Sequence, residues 1–102
     1  MSVAERWLRE RVPDAPPELL SAMIGALAAD GAPVPDALAS GAITLYRRVA
    51  AGSGRREDAL PLLAADALLT HAFEAQAEID PSGLEALASR WGVGGVLGEV
   101  SQ

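Results

Sequence analysis

Prolines and glycines divide the chain into short segments, and this division constrains the fold more than any other sequence feature. Within the segments apolar residues recur every three or four positions, and no long stretch alternates as a half-buried strand would. Of the 102 residues, 21 are alanine and only four are aromatic, which favours closely packed helices. The sequence therefore predicts an all-α fold, a compact bundle of about five helices forming one domain over residues 1–102.

Capping residues and helix breakers predict the bounds of these helices. Ser2 and Glu5 have the spacing of a capping box, and prolines follow at positions suited to first turns. The expected helices run from Ser2 to about Val12, from Pro16 to Gly31, from Asp36 to Ala51, from Asp58 to about Glu78 and from Asp80 to Gly92. Gly41 lies inside the third helix, where glycine is unfavourable unless a neighbour packs closely over it. We therefore expect a close helix contact at Gly41.

Charge limits the classes of partner. The net charge is −6 and lysine is absent, so nucleic acid is a poor candidate for a partner. The eight basic residues are all arginine, and four of them lie close together in the sequence: Arg47, Arg48, Arg55 and Arg56. Such a group is either a set of solvated helix ends and loop residues or a set of contacts to an anion or ligand. The sequence thus offers these four arginines as candidate contacts to an anion or ligand.

Three absences bear on the compartment. The chain has no cysteine, which excludes disulfides and thiolate metal sites and agrees with a reducing environment. The charged sequence MSVAERWLRERV is unlike a signal peptide, and no apolar run reaches the ~20 residues that a membrane span requires. We therefore expect a cytoplasmic protein without a membrane span.

The predicted fourth helix carries the most informative residues. Its first half, ALPLLAADALL, is apolar almost all round, which is typical of a helix enclosed by others. Asp66 interrupts this run, so we expect a buried carboxylate paired with Arg47 or Arg48. His71 precedes Glu74 and Glu78 by three and seven positions, but a metal site would need a further ligand set, and a partly exposed helical histidine is the simpler interpretation.

Two stretches resemble a known family. Residues 62–74 read LLAADALLTHAFE and residues 87–99 read LASRWGVGGVLGE. In order and spacing they resemble the trans-isoprenyl diphosphate synthases, whose helices read roughly A-x-L-A-G-D-A-L-L-x-x-A-F and L-A-x-x-x-G-x-x-G-M-V-G-G-Q. Ala65 replaces the usual glycine and Glu99 the usual glutamine. The resemblance covers residues 58–100 and implies a fragment of the isoprenoid-synthase fold.

The departures from the family shape the functional prediction. Its members bind magnesium and diphosphate through two DDxxD motifs, and this chain has no adjacent aspartates. We therefore predict no catalytic residues, no metal and no cofactor, and a non-catalytic interaction or accessory protein that self-associates or docks on a helical partner. The apolar tail supplies the predicted interface residues: Val93, Val96, Leu97 and Val100. Two alternatives stay open: a small subunit of a prenyl diphosphate synthase whose partner supplies the aspartates, and a carrier of a small apolar or prenyl ligand.

Overall fold

A computed structural model describes residues 1–27, 31–52 and 54–92, and these residues form five α-helices. The helices are α1 (Val3–Arg11), α2 (Pro17–Gly25), α3 (Val34–Ala50), α4 (Ala59–Ile79) and α5 (Leu84–Trp91). Single 3-10 turns at Arg56–Asp58 and Pro81–Gly83 lead into α4 and α5. None of the described residues lies in a strand, so the all-α prediction is confirmed.

Local signals account for most of the helix ends. The Ser2 hydroxyl accepts a hydrogen bond of 3.0 Å from the Glu5 amide, which is one half of the expected capping box. The Glu5 carboxylate instead pairs with Arg9 at 3.0 Å, one turn along α1. The Asp80 carboxylate accepts from the Ser82 amide at 3.0 Å and caps the turn before α5, which ends next to Gly92 as expected.

The predicted end of α2 is wrong. The helix ends at Gly25, six residues before the expected stop at Gly31. The amides of Ala26 and Leu27 bond to carbonyls three residues back, at 3.2 and 3.1 Å, so the chain tightens and leaves the helix there. This exit places the Ala26 carbonyl against α3, a tertiary contact that helix periodicity does not encode.

The core lies between α3 and α4 and is built mainly from small side chains. Its fully enclosed members on these two helices are Leu38, Ala39, Ala42, Ala64, Ala65, Leu68, Ala72 and Ala75. A Cβ atom at Gly41 would lie 3.1 Å from the Ala26 carbonyl oxygen and 3.1 Å from Leu68 Cδ1. The close contact predicted at Gly41 is thus confirmed, and it allows the backbone of α3 to approach both α4 and the chain just after α2.

The other helices cover α3 and α4 unevenly. Helix α1 packs on α2 and α3, α2 also packs on α4, and α5 contacts both α3 and α4. Leu8, Met23 and Leu87 are the buried anchors of α1, α2 and α5, each at most 1% exposed. This arrangement leaves one face of α4 towards solvent. None of the helices in the described ranges is both long enough and apolar enough for a bilayer span.

Candidate interaction surface

The N-terminal half of α4 exposes three leucines within four residues. Leu60 is 40% exposed, Leu62 41% and Leu63 55%. The prediction that this half of the helix is enclosed by others is therefore wrong. The buried residues of α4 lie on one face only, because α2, α3 and α5 approach from that side. In this half of the helix they are Pro61, Ala64, Ala65 and Leu68. The sequence is apolar almost all round, but neighbouring helices cover only one face of it.

The four candidate anion contacts lie at the two ends of the loop that joins α3 to α4. Arg47 and Arg48 occupy the last turn of α3, where a cation interacts favourably with the helix dipole, and Arg55 and Arg56 precede α4. All four are exposed, and none forms an ion pair with another residue in the described ranges. Their role as anion contacts stays a prediction.

The loop between α3 and α4 is closed by Asp58. This residue precedes α4, but its carboxylate accepts from the Gly54 amide at 3.0 Å rather than from an amide in the first turn of the helix. Gly54 has a φ of 74°, a conformation that favours glycine. The Asp58 carboxylate therefore closes the loop that contains Arg55 and does not cap α4.

Asp66 is exposed, so the prediction of a buried carboxylate paired with Arg47 or Arg48 is wrong. Its partner is Tyr46 on α3, whose hydroxyl donates a hydrogen bond to Asp66 Oδ1. Asp66 lies on the solvent side of α4, where water hydrates a carboxylate without a counter-charge. The pair links α3 to α4 at the edge of the core.

The hydrogen bond between Tyr46 and Asp66 also affects the acidity of the phenol. Partial burial raises the pKa of Tyr46, and the hydrogen bond to Asp66 and the negative charge of that carboxylate raise it further. All three effects disfavour the phenolate. Tyr46 is therefore a neutral donor throughout the physiological range, and its role here is to join two helices.

A second polar group joins α1 to the C-terminal half of α4. Arg11 lies over the Trp7 ring, with its guanidinium carbon 4.9 Å from the ring centroid, and pairs with Glu78. The Trp7 and His71 rings meet edge to face at 6.1 Å, and His71 Nδ1 contacts Glu74. His71 is partly buried, and its contact with Trp7 helps to hold α1 against α4. In the described part of the chain, no three histidine or carboxylate side chains cluster as metal ligands.

A third polar group was not expected from the sequence. Asp36 Oδ1 accepts from Arg90 Nε at 3.2 Å, from Arg90 Nη2 at 3.0 Å and from Trp91 Nε1 at 2.9 Å. It lies in the first turn of α3, where a carboxylate is favourable, and it ties the end of α5 to the start of α3. The participants are 54 and 55 residues apart, so local spacing offered no signal.

Two surface grooves accompany these groups. One, of about 410 Å³, is lined by Trp7, Glu10, Arg11 and Glu78. The other, of about 280 Å³, lies between α2 and α3 and has Thr44, Leu45 and Arg48 on one wall. Arg48 is thus the one candidate anion contact that lines a groove described here, but the C-terminal end of α2 lines the same groove and does not favour an anion.

The predicted tail interface falls outside the described residues. Val93, Val96, Leu97 and Val100 all lie beyond Gly92. Among the described residues, the exposed leucines of α4 and the arginines before that helix are the remaining candidates for an interface.

Comparison with family models, with curated proteins and with solved structures gives no match. The resemblance to trans-isoprenyl diphosphate synthases stays a prediction from the two sequence stretches.

Proposed function

We propose that this chain is a non-catalytic interaction module that docks on a helical segment through the N-terminal half of α4. The observation that carries the proposal is the exposure of Leu60 and Leu63, which are neighbours one turn apart on α4, with Leu62 exposed further round the helix. Single exposed apolar residues are ordinary, but adjacent ones mark surfaces that another chain covers. Fully burying an exposed leucine is worth about 1.5–3 kcal/mol. Because Leu60 and Leu63 are already roughly half buried, covering the remainder of each would contribute about half of that.

The polar groups support a structural rather than a chemical role for the described residues. Asp66 bonds to Tyr46, Glu78 to Arg11, and Asp36 to Arg90 and Trp91. Each of these pairs joins two helices, so its members hold the bundle together. The exposed leucines contribute nothing comparable to the core, and binding is the role left to them.

Site-specific photo-crosslinking tests this proposal. A photoreactive amino acid at position 63 of the full chain, expressed in cells, should give a discrete adduct, because a docked helix would lie against that position. Ile79 provides the control position, since it is 65% exposed on the same helix but lies at its far end. The adduct at position 63 should be lost when Leu60→Glu is added. Equal crosslinking at positions 63 and 79, or no discrete adduct at position 63, would contradict the proposal.

A further inference from the structure

The solvent face of α4 carries a heptad-like row of residues. Starting in the turn before the helix, successive members are separated by four, three, four, three and four positions. We call this row the α4 seam; its members are Arg56, Leu60, Leu63, Ala67, Thr70 and Glu74. Such spacing keeps side chains on one stripe of a helix and is the pattern of a seam between two packed helices.

The described part of the chain leaves the seam accessible. Arg56, Leu60, Leu63, Thr70 and Glu74 are exposed, and Ala67 is partly exposed. Helix α1 lies to one side, where Trp7 meets His71, and α3 lies to the other, where Tyr46 meets Asp66. The small side chains of Ala67 and Thr70 leave room beside the leucines. A second helix could therefore approach the seam between these flanks.

The seam is complementary to itself when one copy is reversed. Its spacing is the same read from either end, and its ends carry opposite charges, Arg56 and Glu74. In an antiparallel pair, Arg56 would oppose Glu74 of the second copy, and Leu60 and Leu63 would oppose its Thr70 and Ala67. Each leucine then meets a small residue, as interdigitating side chains require. A parallel pair would instead place arginine against arginine and glutamate against glutamate.

We propose that the partner of the α4 seam is a second copy of this chain, packed antiparallel about a two-fold axis at the level of Ala65, the midpoint of the seam. This inference rests on the proposed function and specifies the helical segment that docks. The contact would extend about 27 Å along the helix, at 1.5 Å per residue. Leucine burial supplies its affinity, and the paired charges fix its orientation, since exposed ion pairs add little affinity.

Light scattering across a concentration series tests the association. The measured mass should rise from that of one chain towards that of two, and Leu63→Glu should keep the protein monomeric at concentrations where the parent is dimeric. Ile79→Glu is the matched control, because it adds the same charge to α4 away from the seam and should leave the dimer intact. Circular dichroism shows whether each variant is folded.

Charge reversal tests the register. Arg56→Glu alone and Glu74→Arg alone should each weaken association by roughly tenfold, since each places like charges opposite one another twice in the dimer. The double variant Arg56→Glu with Glu74→Arg restores opposite charges and should recover most of the loss. A double variant weaker than both single variants would overturn the antiparallel register.

Disulfide trapping tests the orientation, because the chain has no native cysteine. A Leu60→Cys chain mixed with a Thr70→Cys chain should form the mixed disulfide. Antiparallel packing places the two copies of residue 60 about 15 Å apart along the helix, beyond the reach of a disulfide. Predominant disulfides between two Leu60→Cys chains would indicate parallel packing and overturn the proposal.

The outcomes separate this inference from the proposed function. A parent protein that stays monomeric at all concentrations overturns self-pairing. If position 63 nevertheless crosslinks to a different protein, docking through α4 stands and only the identity of the partner is wrong. If the protein is monomeric and position 63 gives no adduct, both fail.

Discussion

At the scale of single residues, the carboxylates that join helices accept hydrogen bonds from neutral donors as well as from arginines. Asp66 accepts from the Tyr46 hydroxyl, and Asp36 accepts from the Trp91 indole at 2.9 Å together with Arg90. Both donors come from other helices. Opposite charge is the most general partner for a carboxylate, so the sequence predicted an arginine beside Asp66. No spacing rule links Asp66 to a tyrosine 20 positions away on another helix.

The first prediction concerns the acidity of Tyr46, which is the only tyrosine in the chain. Since its pKa is raised, its ultraviolet absorbance should show ionisation well above the ordinary value of about 10. The unfolded chain loses this proton first, so above about pH 10 the native state binds more protons and the free energy of unfolding falls as pH rises. Below that pH the contribution is fully present.

Two variants check the cause. Tyr46→Phe should remove this part of the alkaline loss of stability. Asp66→Asn keeps an acceptor but removes the negative charge, so it should lower the pKa of Tyr46 part of the way, because burial also contributes. Ionisation of Tyr46 near pH 10 in the folded parent protein would contradict the hydrogen bond to Asp66.

At the scale of helices, small residues set how closely α3 approaches its neighbours. Gly41 has the Ala26 carbonyl on one side and Leu68 on the other, while Ala39 and Ala42 are wholly enclosed beside it. A helix interior normally favours alanine over glycine by up to about 1 kcal/mol. The close approach of Ala26, just after α2, and of Leu68 on α4 offsets that loss.

The second prediction compares two glycine-to-alanine substitutions. Gly25→Ala, at the end of α2, meets nothing within 4 Å and should raise the free energy of unfolding by up to about 1 kcal/mol. Gly41→Ala should give no such gain, or lose about 1 kcal/mol, because its new methyl group lies 3.1 Å from the backbone oxygen of Ala26. Urea unfolding measures both. An equal gain at the two positions would show that the contact at Gly41 does not constrain the packing.

At the scale of the whole molecule, the first and last described helices share one core. Leu8 of α1 is a member of the core and Trp91 of α5 packs against it, and both helices contact α3. A small chain buries only a modest apolar area, so half of this core would provide too little stability to stay folded alone. The bundle should therefore unfold as one cooperative unit, in keeping with the predicted single domain.

The third prediction tests this cooperativity with the two tryptophans, one in α1 and one in α5. A Trp7→Phe variant reports through Trp91 alone, and a Trp91→Phe variant reports through Trp7 alone. Within each variant, the midpoints of urea unfolding by fluorescence and by circular dichroism should coincide. A fluorescence transition that precedes the loss of helix in either variant would show that the terminal helix detaches separately.

The sequence by itself determined which segments are helices and where most of them begin. Proline at first turns, the Ser2 and Asp80 caps and the stop at Gly92 act through local backbone geometry and hydrogen bonds. The same local information explains why Gly41 could be identified as a close contact. It failed at the end of α2, where a tertiary contact with α3 competes with helix continuation.

Only the tertiary structure decided which face of α4 is covered. The run from Leu60 to Leu69 is apolar except at Asp66, so periodicity gave no preferred direction for burial. The approach of α2, α3 and α5 from one side buries Ala64, Ala65 and Leu68 and leaves Leu60, Leu62 and Leu63 in solvent. Burial depends on where distant segments pack, and pairs such as Asp36 with Trp91 form across 55 residues for the same reason.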